Sequence, residues 1–384
     1  MGRATKATAL ALKSRILLFA ASDLTADGSA ASKFVGYQNP DRTALWTAAK
    51  NAAKAVIDLG TYTLADFGAP EKAAVSQKLY DFFRAKDLSN PEIIWGKMYS
   101  KLDGANNQMN QWNEPSGNAG WNSINPSQKL VDAFQMEDGS SFFNHFQVDA
   151  SGFYRNISGK YTNENIYYNR DPRFYGTLLY DSAIWKNTPF SIRDTIITQN
   201  GVQIKKVYGY DTRNSDYNAF NATFTGYAIR KMLDEGIPAQ DGINRNENIW
   251  IEFRLSEILL NYAEACIGLG EITEAATAIN KIRARTAMPD FTGDINQALR
   301  YERQVELAFE NHRWYDLRRW KVLLENLTDN YGIIILETNT DGNVKTTWQK
   351  TLVQKRMPVL SNYWIPIPRT EISKAPQLEQ NPGY

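Results

Sequence analysis

Cysteine and histidine are scarce in this chain of 384 residues, which has one cysteine and two histidines. Cys266 has no second thiol for a disulfide bond, and its place in a helical run is typical of a packed core. His145 and His312 have no ligand-spaced histidine or cysteine neighbours, so the sequence predicts no metal site and no cofactor. A serine or cysteine nucleophile with a histidine base is equally unsupported.

An excess of one charge sign is also missing, because 43 lysines and arginines balance 42 aspartates and glutamates. A protein that binds nucleic acid needs a basic field to displace counterions from the phosphate backbone. Nucleic acid is therefore not an expected partner. The acidic residues leave a glycoside hydrolase open as an alternative, since the sequence does not say how far apart any two carboxylates lie.

Long uncharged hydrophobic runs are absent near the start of the chain, where Lys13 and Arg15 interrupt the alanine-rich segment. The remaining stretch from Ile16 to Ala21 is too short for a secretory hydrophobic region or for a membrane span. No signal peptide and no lipid-anchor cysteine are therefore expected within this chain.

Aromatic residues, in contrast, are abundant and make up 12% of the chain. The segment from Asn106 to Asn122 has no helical or strand periodicity, yet it carries two tryptophans among amides and glycines. Indole rings can stack on the apolar faces of sugars while amides satisfy the hydroxyl groups. The predicted glycan-binding residues of this segment are Trp112, Trp121, Gln111, Asn113 and Asn118.

A further candidate of the same kind is Trp185, which precedes Lys186 and Asn187 in a polar stretch. The alternative reading of all these tryptophans is that they pack against the scaffold of their own loops. The sequence leaves both interpretations open.

Apolar residues recur at helical spacing in residues 1–60, which predicts a pair of antiparallel helices with an insertion at residues 22–40. The same pattern returns in residues 251–325. There it predicts helices at 251–268 and 272–285, joined by a tight glycine turn as in a TPR unit. One long helix is expected from about Ile295 to Leu324.

Turn residues and aromatics dominate residues 61–250, which predicts a loop-rich region with short β-hairpins such as one formed by residues 195–208. Residues 326–384 are expected to hold another hairpin, turning at Asp341-Gly342, and a proline-rich tail.

Charged and aromatic residues alternate in the segment from Glu310 to Trp320. Glu310, Arg313 and Asp316 follow a helical spacing, which predicts an ion-paired helix face with Trp314 and Trp320 packed inward.

Several segments, in their order along the chain, resemble stretches of the SusD/RagB family. They are residues 2–6, 128–139 (QKLVDAFQMEDG), 169–174 (NRDPRF), 253–265, 278–285 (AINKIRAR), 302–320, 364–368 (WIPIP) and 380–384 (QNPGY). The resemblance covers the whole length of the chain.

That resemblance implies a mainly α-helical, SusD-like fold of TPR-like helix pairs with a large irregular region. Residues 1–384 would form one SusD-like domain that lacks the N-terminal part of the family. It also implies a non-enzymatic lipoprotein, exposed on the outer membrane in its full-length form. Such a protein holds an oligosaccharide or polysaccharide and caps a SusC-like TonB-dependent transporter. The remaining alternatives are a glycoside hydrolase and a TPR-type scaffold for protein partners.

Overall fold

The computed structural model describes residues 3–30, 33–102, 106–237 and 246–384 of the chain, so part of the opening motif at residues 2–6 lies outside the described residues. The helices, in chain order, are α1 (Lys6–Ala21), α2 (Asp23–Ala26), α3 (Arg42–Ile57), α4 (Lys72–Phe82), α5 (Met109–Asn113), α6 (Gln128–Ala133), α7 (Pro172–Thr177), α8 (Leu255–Leu269), α9 (Ile272–Arg285), α10 (Ile295–Glu306), α11 (Arg313–Arg319), α12 (Leu323–Asn326) and α13 (Arg369–Lys374). Within the described ranges, none of these helices is long and apolar enough to span a membrane.

The strands, in chain order, are β1 (Ile93–Lys97), β2 (Phe146–Val148), β3 (Tyr154–Asn156), β4 (Leu178–Leu179), β5 (Ile184–Trp185), β6 (Thr188–Pro189), β7 (Arg193–Gln199), β8 (Val202–Val207), β9 (Ala228–Ile229), β10 (Trp250–Arg254), β11 (Asn330–Thr340) and β12 (Asn343–Gln354). Helices account for 37% of the structure and strands for 18%. Helix exceeds strand, but the mainly α-helical expectation is not confirmed, because a substantial minority of the residues pair as strands.

The predicted helix pair near the start is formed by α1 and α3, and α3 also packs on α8. Thr5 caps α1 by accepting a hydrogen bond from the backbone N–H of Thr8, and Asp41 caps α3 through Ala44. Small residues at the contact let these helices approach closely, and the buried core between them includes Ala11, Ala53, Ile258, Ala263 and Cys266. The predicted core position of Cys266 is confirmed.

The predicted pair at residues 251–285 is confirmed as α8 and α9. The turn between them requires Gly270, whose φ of 78° lies in the left-handed region that favours glycine. The backbone N–H of Glu271 then donates to the carbonyl oxygen of Cys266 at 2.8 Å and closes the end of α8. Residues 251–254 differ from the prediction, because they belong to strand β10. The assignment of these pairs as TPR units stays a prediction.

The single long helix expected from Ile295 to Leu324 is wrong, because the chain breaks there into α10, α11 and α12. Phe309 and Asn311 both have a φ of 64°, which no right-handed helix allows. The break turns Glu310 inward, where its carboxylate binds Arg254 at 2.7 Å and Lys231 at 2.7 Å. Ion pairing with buried partners outweighs helix continuity at this point.

The predicted ion-paired face of that segment is wrong for the same reason. Asp316 pairs with Arg303 and Arg319, each at 2.8 Å, rather than with Arg313. Trp320 is buried as predicted, but Trp314 is 43% exposed.

Four strands form the largest sheet, in the order β12-β11-β7-β8. The predicted hairpins are confirmed as β7–β8 and β11–β12, the second turning at Asp341 and Gly342, which both have positive φ. Strand β7 runs parallel to β11, so two hairpins that are distant in sequence join edge to edge.

A network of buried charges lies where α10 meets β10, α7 and α9. The carboxylate of Glu306 binds Arg254 at 2.7 Å and Arg173 at 3.1 Å, and it also binds Arg285. Glu92 pairs with Arg254 and Arg285 from the residue before β1. Each carboxylate therefore ties together segments that are far apart in the sequence.

Candidate functional site

The segment from Asn106 to Asn122, here called the indole loop, folds back on itself and exposes both of its tryptophans. The backbone N–H of Trp121 donates to the carbonyl oxygen of Gln111 at 2.9 Å. The N–H of Ser123 likewise donates to the carbonyl oxygen of Trp112 at 2.7 Å. Trp112 is 48% exposed and Trp121 is 49% exposed. Two large apolar rings therefore face solvent from adjacent backbone segments.

Buried polar side chains tether the indole loop to the rest of the protein. The amide of Asn110 donates to the carbonyl oxygen of Asp234 at 2.6 Å and accepts from the amide of Asn246 at 2.8 Å. The carboxylate of Glu114 accepts a hydrogen bond from Nζ of Lys186 at 2.6 Å. Burial raises the pKa of Glu114 to about 7, against the opposing effect of Lys186. These contacts hold the loop in one conformation.

Two glycines are required for the close packing of this loop. A Cβ atom at Gly120 would collide with the backbone oxygen of Glu114. A Cβ atom at Gly117 would lie 2.6 Å from both the carboxylate of Asp211 and the ring of Tyr210. The glycines of the loop thus serve its fold, while its indoles stay at the surface.

A cavity of about 370 Å³, here called the indole pocket, opens beside Trp112. It combines aromatic rings, amides and apolar side chains, and its lining residues are Lys97, Tyr99, Asn106, Asn107, Gln108, Met109, Trp112, Met232, Asn248, Ile249 and Trp250. Within the ranges that the structure describes, no aspartate or glutamate belongs to this lining.

Strand pairing assembles the pocket from three distant parts of the chain. Strands β1 and β10 pair so that Lys97 lies opposite Trp250, which brings Tyr99 to the same end. The backbones of Asn107 and Asn246 exchange two hydrogen bonds, each 3.1 Å long. The start of the indole loop is thereby fixed against the segment that leads into β10.

Asn248 lines the pocket but is itself buried. Its Nδ2 donates to the carbonyl oxygen of Met232 at 3.1 Å. Its Oδ1 has no hydrogen-bond partner in the part of the chain that the structure describes, and it is closed off from solvent. Asn248 therefore supports the wall of the pocket and does not offer an accessible acceptor.

The structure separates the predicted site residues into two groups. Trp112 lines the indole pocket, and Trp121 is exposed on the neighbouring segment but does not belong to the lining. Gln111 and Asn118 are half-buried in the same loop. These four residues remain candidates for contact with a ligand.

Two of the predicted residues are corrected by their burial. Trp185 is fully buried and packs edge to face against Tyr80, with ring centroids 6.3 Å apart, so it cannot stack on a sugar. It supports the site indirectly, because the next residue, Lys186, binds Glu114. Asn113 is also buried, and its Nδ2 donates to the carbonyl oxygen of Met109 at 3.0 Å.

Sequence reasoning missed Tyr99, Trp250 and Asn248, because they lie outside the indole loop. The stretch Asn246-Glu247-Asn248-Ile249-Trp250 has the same mixture of amides and indole as the loop itself. That composition was the available signal. The stretch from Asn246 to Trp250 lies near the loop only because strands pair, and the sequence does not reveal that pairing.

Among the described residues, no group of three or more histidine, cysteine, aspartate or glutamate side chains could hold a metal ion.

The model of the SusD family matches residues 91–384. The chain belongs to the SusD family. This confirms the resemblance noted in its sequence motifs.

Relatives of this SusD-family protein agree with the assignment. SusD-like protein P2 from Formosa agariphila is 28% identical over an alignment of 166 residues, and the match covers 39% of this chain and 28% of that protein. A SusD-like protein from Bacteroides fragilis is 28% identical and superimposes with a TM-score of 0.72 over 100% of this chain and 66% of its own.

A SusD-like carbohydrate-binding protein from the same organism is 23% identical, with a TM-score of 0.69 over 99% of this chain and 66% of its own. At that identity, the likeness shows the fold alone. The chain spans about two thirds of the length of these solved relatives and matches a smaller part of the curated one.

Proposed function

We propose that this SusD-family protein binds oligosaccharides in the indole pocket. The observation that carries the proposal is the exposed ring of Trp112 at the edge of a cavity that also contains Tyr99, Trp250 and several amides. Aromatic faces match the apolar faces of pyranose rings, and amides can both donate to and accept from hydroxyl groups. A relative of the same fold is described as carbohydrate-binding, which supports the proposal.

Preorganisation strengthens this interpretation. The contacts of Asn110 and Glu114 fix the indole loop before any ligand arrives. A ligand then does not have to order the loop, which reduces the entropic cost of binding. Trp121 lies outside the pocket lining and would contact a longer chain.

A direct test is an affinity screen of the purified protein against a panel of soluble polysaccharides and their oligosaccharides. At least one glycan should bind with a dissociation constant that Trp112→Ala raises. A chain that binds no glycan in the panel, while circular dichroism shows it folded, would contradict the proposal.

We further propose that the full-length protein serves an outer-membrane uptake system, as a surface lipoprotein that delivers glycans to a SusC-like TonB-dependent transporter. Family membership supports this role, whereas no contact of the described residues specifies a transporter interface. We expect a β-barrel transporter to co-purify with a tagged full-length form from native membranes solubilised in mild detergent. Recovery of the tagged protein without any barrel would count against the association.

We expect no glycoside hydrolysis. Hydrolases of this kind flank the scissile bond with two carboxyl groups, but no aspartate or glutamate among the described residues lines the indole pocket. The raised pKa of Glu114 follows from its burial as a loop anchor and places no proton next to a bound sugar. Incubation with the best-binding glycan should release no reducing ends above the buffer control. Release that Glu114→Gln abolishes would show that this carboxyl acts as a catalytic acid.

A further inference from the structure

A second and larger cavity of about 730 Å³, here called the cationic cavity, lies where the segment before α6 meets α11 and the connection into β11. Three cationic side chains line it: Lys129, Arg313 and Arg356. Among the residues with a described structure, no aspartate or glutamate belongs to its lining. The chain as a whole has a net charge of only +1, so this local imbalance does not follow from composition.

These cations have little protein charge to neutralise them. Within the described residues, Arg313 has no hydrogen bond or ion pair from its guanidinium group, and Lys129 binds only the carbonyl and side-chain oxygens of Asn326, at 2.8 and 3.5 Å. Nε of Arg356 lies 3.5 Å from the side chain of Gln354. Arg313 is partly removed from water, and a charge in that position without a counterion is unfavourable unless an anion is supplied.

Two carboxylates close in sequence to the lining residues have other partners. Asp316, on α11, is saturated by Arg303 and Arg319. Asp329 accepts the backbone N–H of Arg356 at 2.8 Å rather than pairing with a side chain of the cavity.

The pKa shifts of Lys129 and Arg313 agree with this geometry. Partial burial, followed by repulsion from Arg313 and other cations, lowers the pKa of Lys129. Burial lowers the pKa of Arg313. The charge of Asp316 opposes this effect, and repulsion from Arg300 adds to it. A bound anion would reverse both effects, because an opposite charge at close range favours the charged form of each side chain.

Aromatic rings accompany the charges. Trp314 is 43% exposed and Tyr315 is 45% exposed, and both line the cavity. Asn125, which also lines it, follows Trp121 by only four positions in the sequence. An extended chain of that length spans at most about 14 Å, so the cavity begins near the exposed indole of Trp121.

We propose that the cationic cavity binds the anionic group of an acidic saccharide, either the carboxylate of a uronic acid or a sulfate ester, with Trp314 and Tyr315 contacting the sugar ring. This deepens the proposed function by naming the class of glycan, and it rests on that function. Guanidinium groups suit both anions, since their planar arrangement of donors matches paired oxygens.

Two matched pairs of ligands test the proposal by isothermal titration calorimetry on the whole chain. One pair is an oligogalacturonate and its carboxyl-reduced form, and the other is a sulfated galactose oligosaccharide and its desulfated form. At least one acidic member should bind about tenfold or more tightly than its neutral counterpart, because hydrogen bonds to charged groups are the stronger ones. The pair that shows the difference identifies the anion.

Substitutions locate the effect. Arg313→Gln and Arg356→Gln should each weaken binding of the preferred acidic oligosaccharide about tenfold and leave its neutral counterpart unchanged. Lys205→Gln removes an exposed cation from strand β8 that lines neither cavity, and it should change neither affinity. Circular dichroism shows whether each variant folds. If Arg313→Gln does not fold, Arg356→Gln alone tests the proposal, because Arg356 is exposed.

The outcomes separate the two proposals. Equal affinity for acidic and neutral members, or an equal loss for both in Arg313→Gln, overturns the cationic cavity and leaves the glycan-binding function standing. Absence of binding by every oligosaccharide, acidic or neutral, overturns both.

Discussion

Replacing Glu306 with glutamine should lower the free energy of unfolding by about 3–5 kcal/mol, the range typical of a broken buried ion pair. The carboxylate of Glu306 is fully buried and binds Arg173, Arg254 and Arg285. Glutamine has nearly the same shape but no charge, so each of these guanidinium groups loses one carboxylate partner and keeps its others. The N–H groups of its amide would also face the N–H groups of the arginines, and neither can accept a hydrogen bond from the other. Urea denaturation followed by circular dichroism measures the change.

A pH series gives this prediction its electrostatic signature. The arginines, led by Arg285 and Arg254, hold the pKa of Glu306 well below its ordinary value of 4.5, against the effect of burial. A lowered folded-state pKa contributes stability that is present above the ordinary pKa and is lost as the pH falls towards the folded-state value. The difference between wild type and Glu306→Gln should therefore be largest near neutral pH and shrink progressively below pH 4.5.

Glu325→Gln is the matched control, because Glu325 is exposed and has no ion pair among the described residues. It should change stability by less than about 0.5 kcal/mol. A Glu306→Gln protein as stable as wild type would mean that the arginines redistribute among Glu92, Glu302 and Glu310 without loss.

Replacing Trp112 with alanine should weaken binding of the best oligosaccharide about tenfold, which corresponds to roughly 1.4 kcal/mol. The indole lines the pocket and is half exposed, so its removal takes away a stacking surface without opening the core. Trp112→Phe keeps an aromatic face and should lose less. Isothermal titration calorimetry against the same glycan measures all three proteins.

Two further variants make that result specific. Tyr37→Ala removes an exposed ring that lines neither cavity, and it should leave affinity unchanged. Trp121→Ala should weaken binding of long oligosaccharides more than of short ones, because Trp121 lies outside the pocket lining. Unchanged affinity in both Trp112→Ala and Trp121→Ala would assign the indoles to loop packing and remove the indole pocket as the glycan site.

Local signals in the sequence account for the parts of the fold that were predicted correctly. The apolar periodicity on both sides of Gly270 predicts α8 and α9, since a helical stripe and a left-handed turn are properties of a few consecutive residues. The turn at Asp341-Gly342 likewise predicts the hairpin of β11 and β12. Motifs distributed along the chain were enough to indicate the SusD family.

Distant partners explain the expectations that failed. Glu310 leaves its expected helix because Arg254 and Lys231, more than fifty positions away, bind its carboxylate. Trp185 lies in a polar stretch much as Trp112 does, yet Tyr80 and the surrounding core cover it completely. Burial depends on which segments pack together, and neither neighbourhood in the sequence contains that information.

The sequence by itself determined the helical hairpins, the strand turns, the amide-rich indole loop and the family, because each depends on residues close together in the chain. Only the tertiary structure decided which indoles face solvent and that Tyr99 and Trp250 join Trp112 in one pocket. It also decided that Lys129, Arg313 and Arg356 share a cavity that no carboxylate of the described residues lines. The physical reason is that exposure and electrostatic environment are set by contacts between distant segments. Those contacts form only when strands β1 and β10 pair and when α6 and α11 both come to line the cationic cavity.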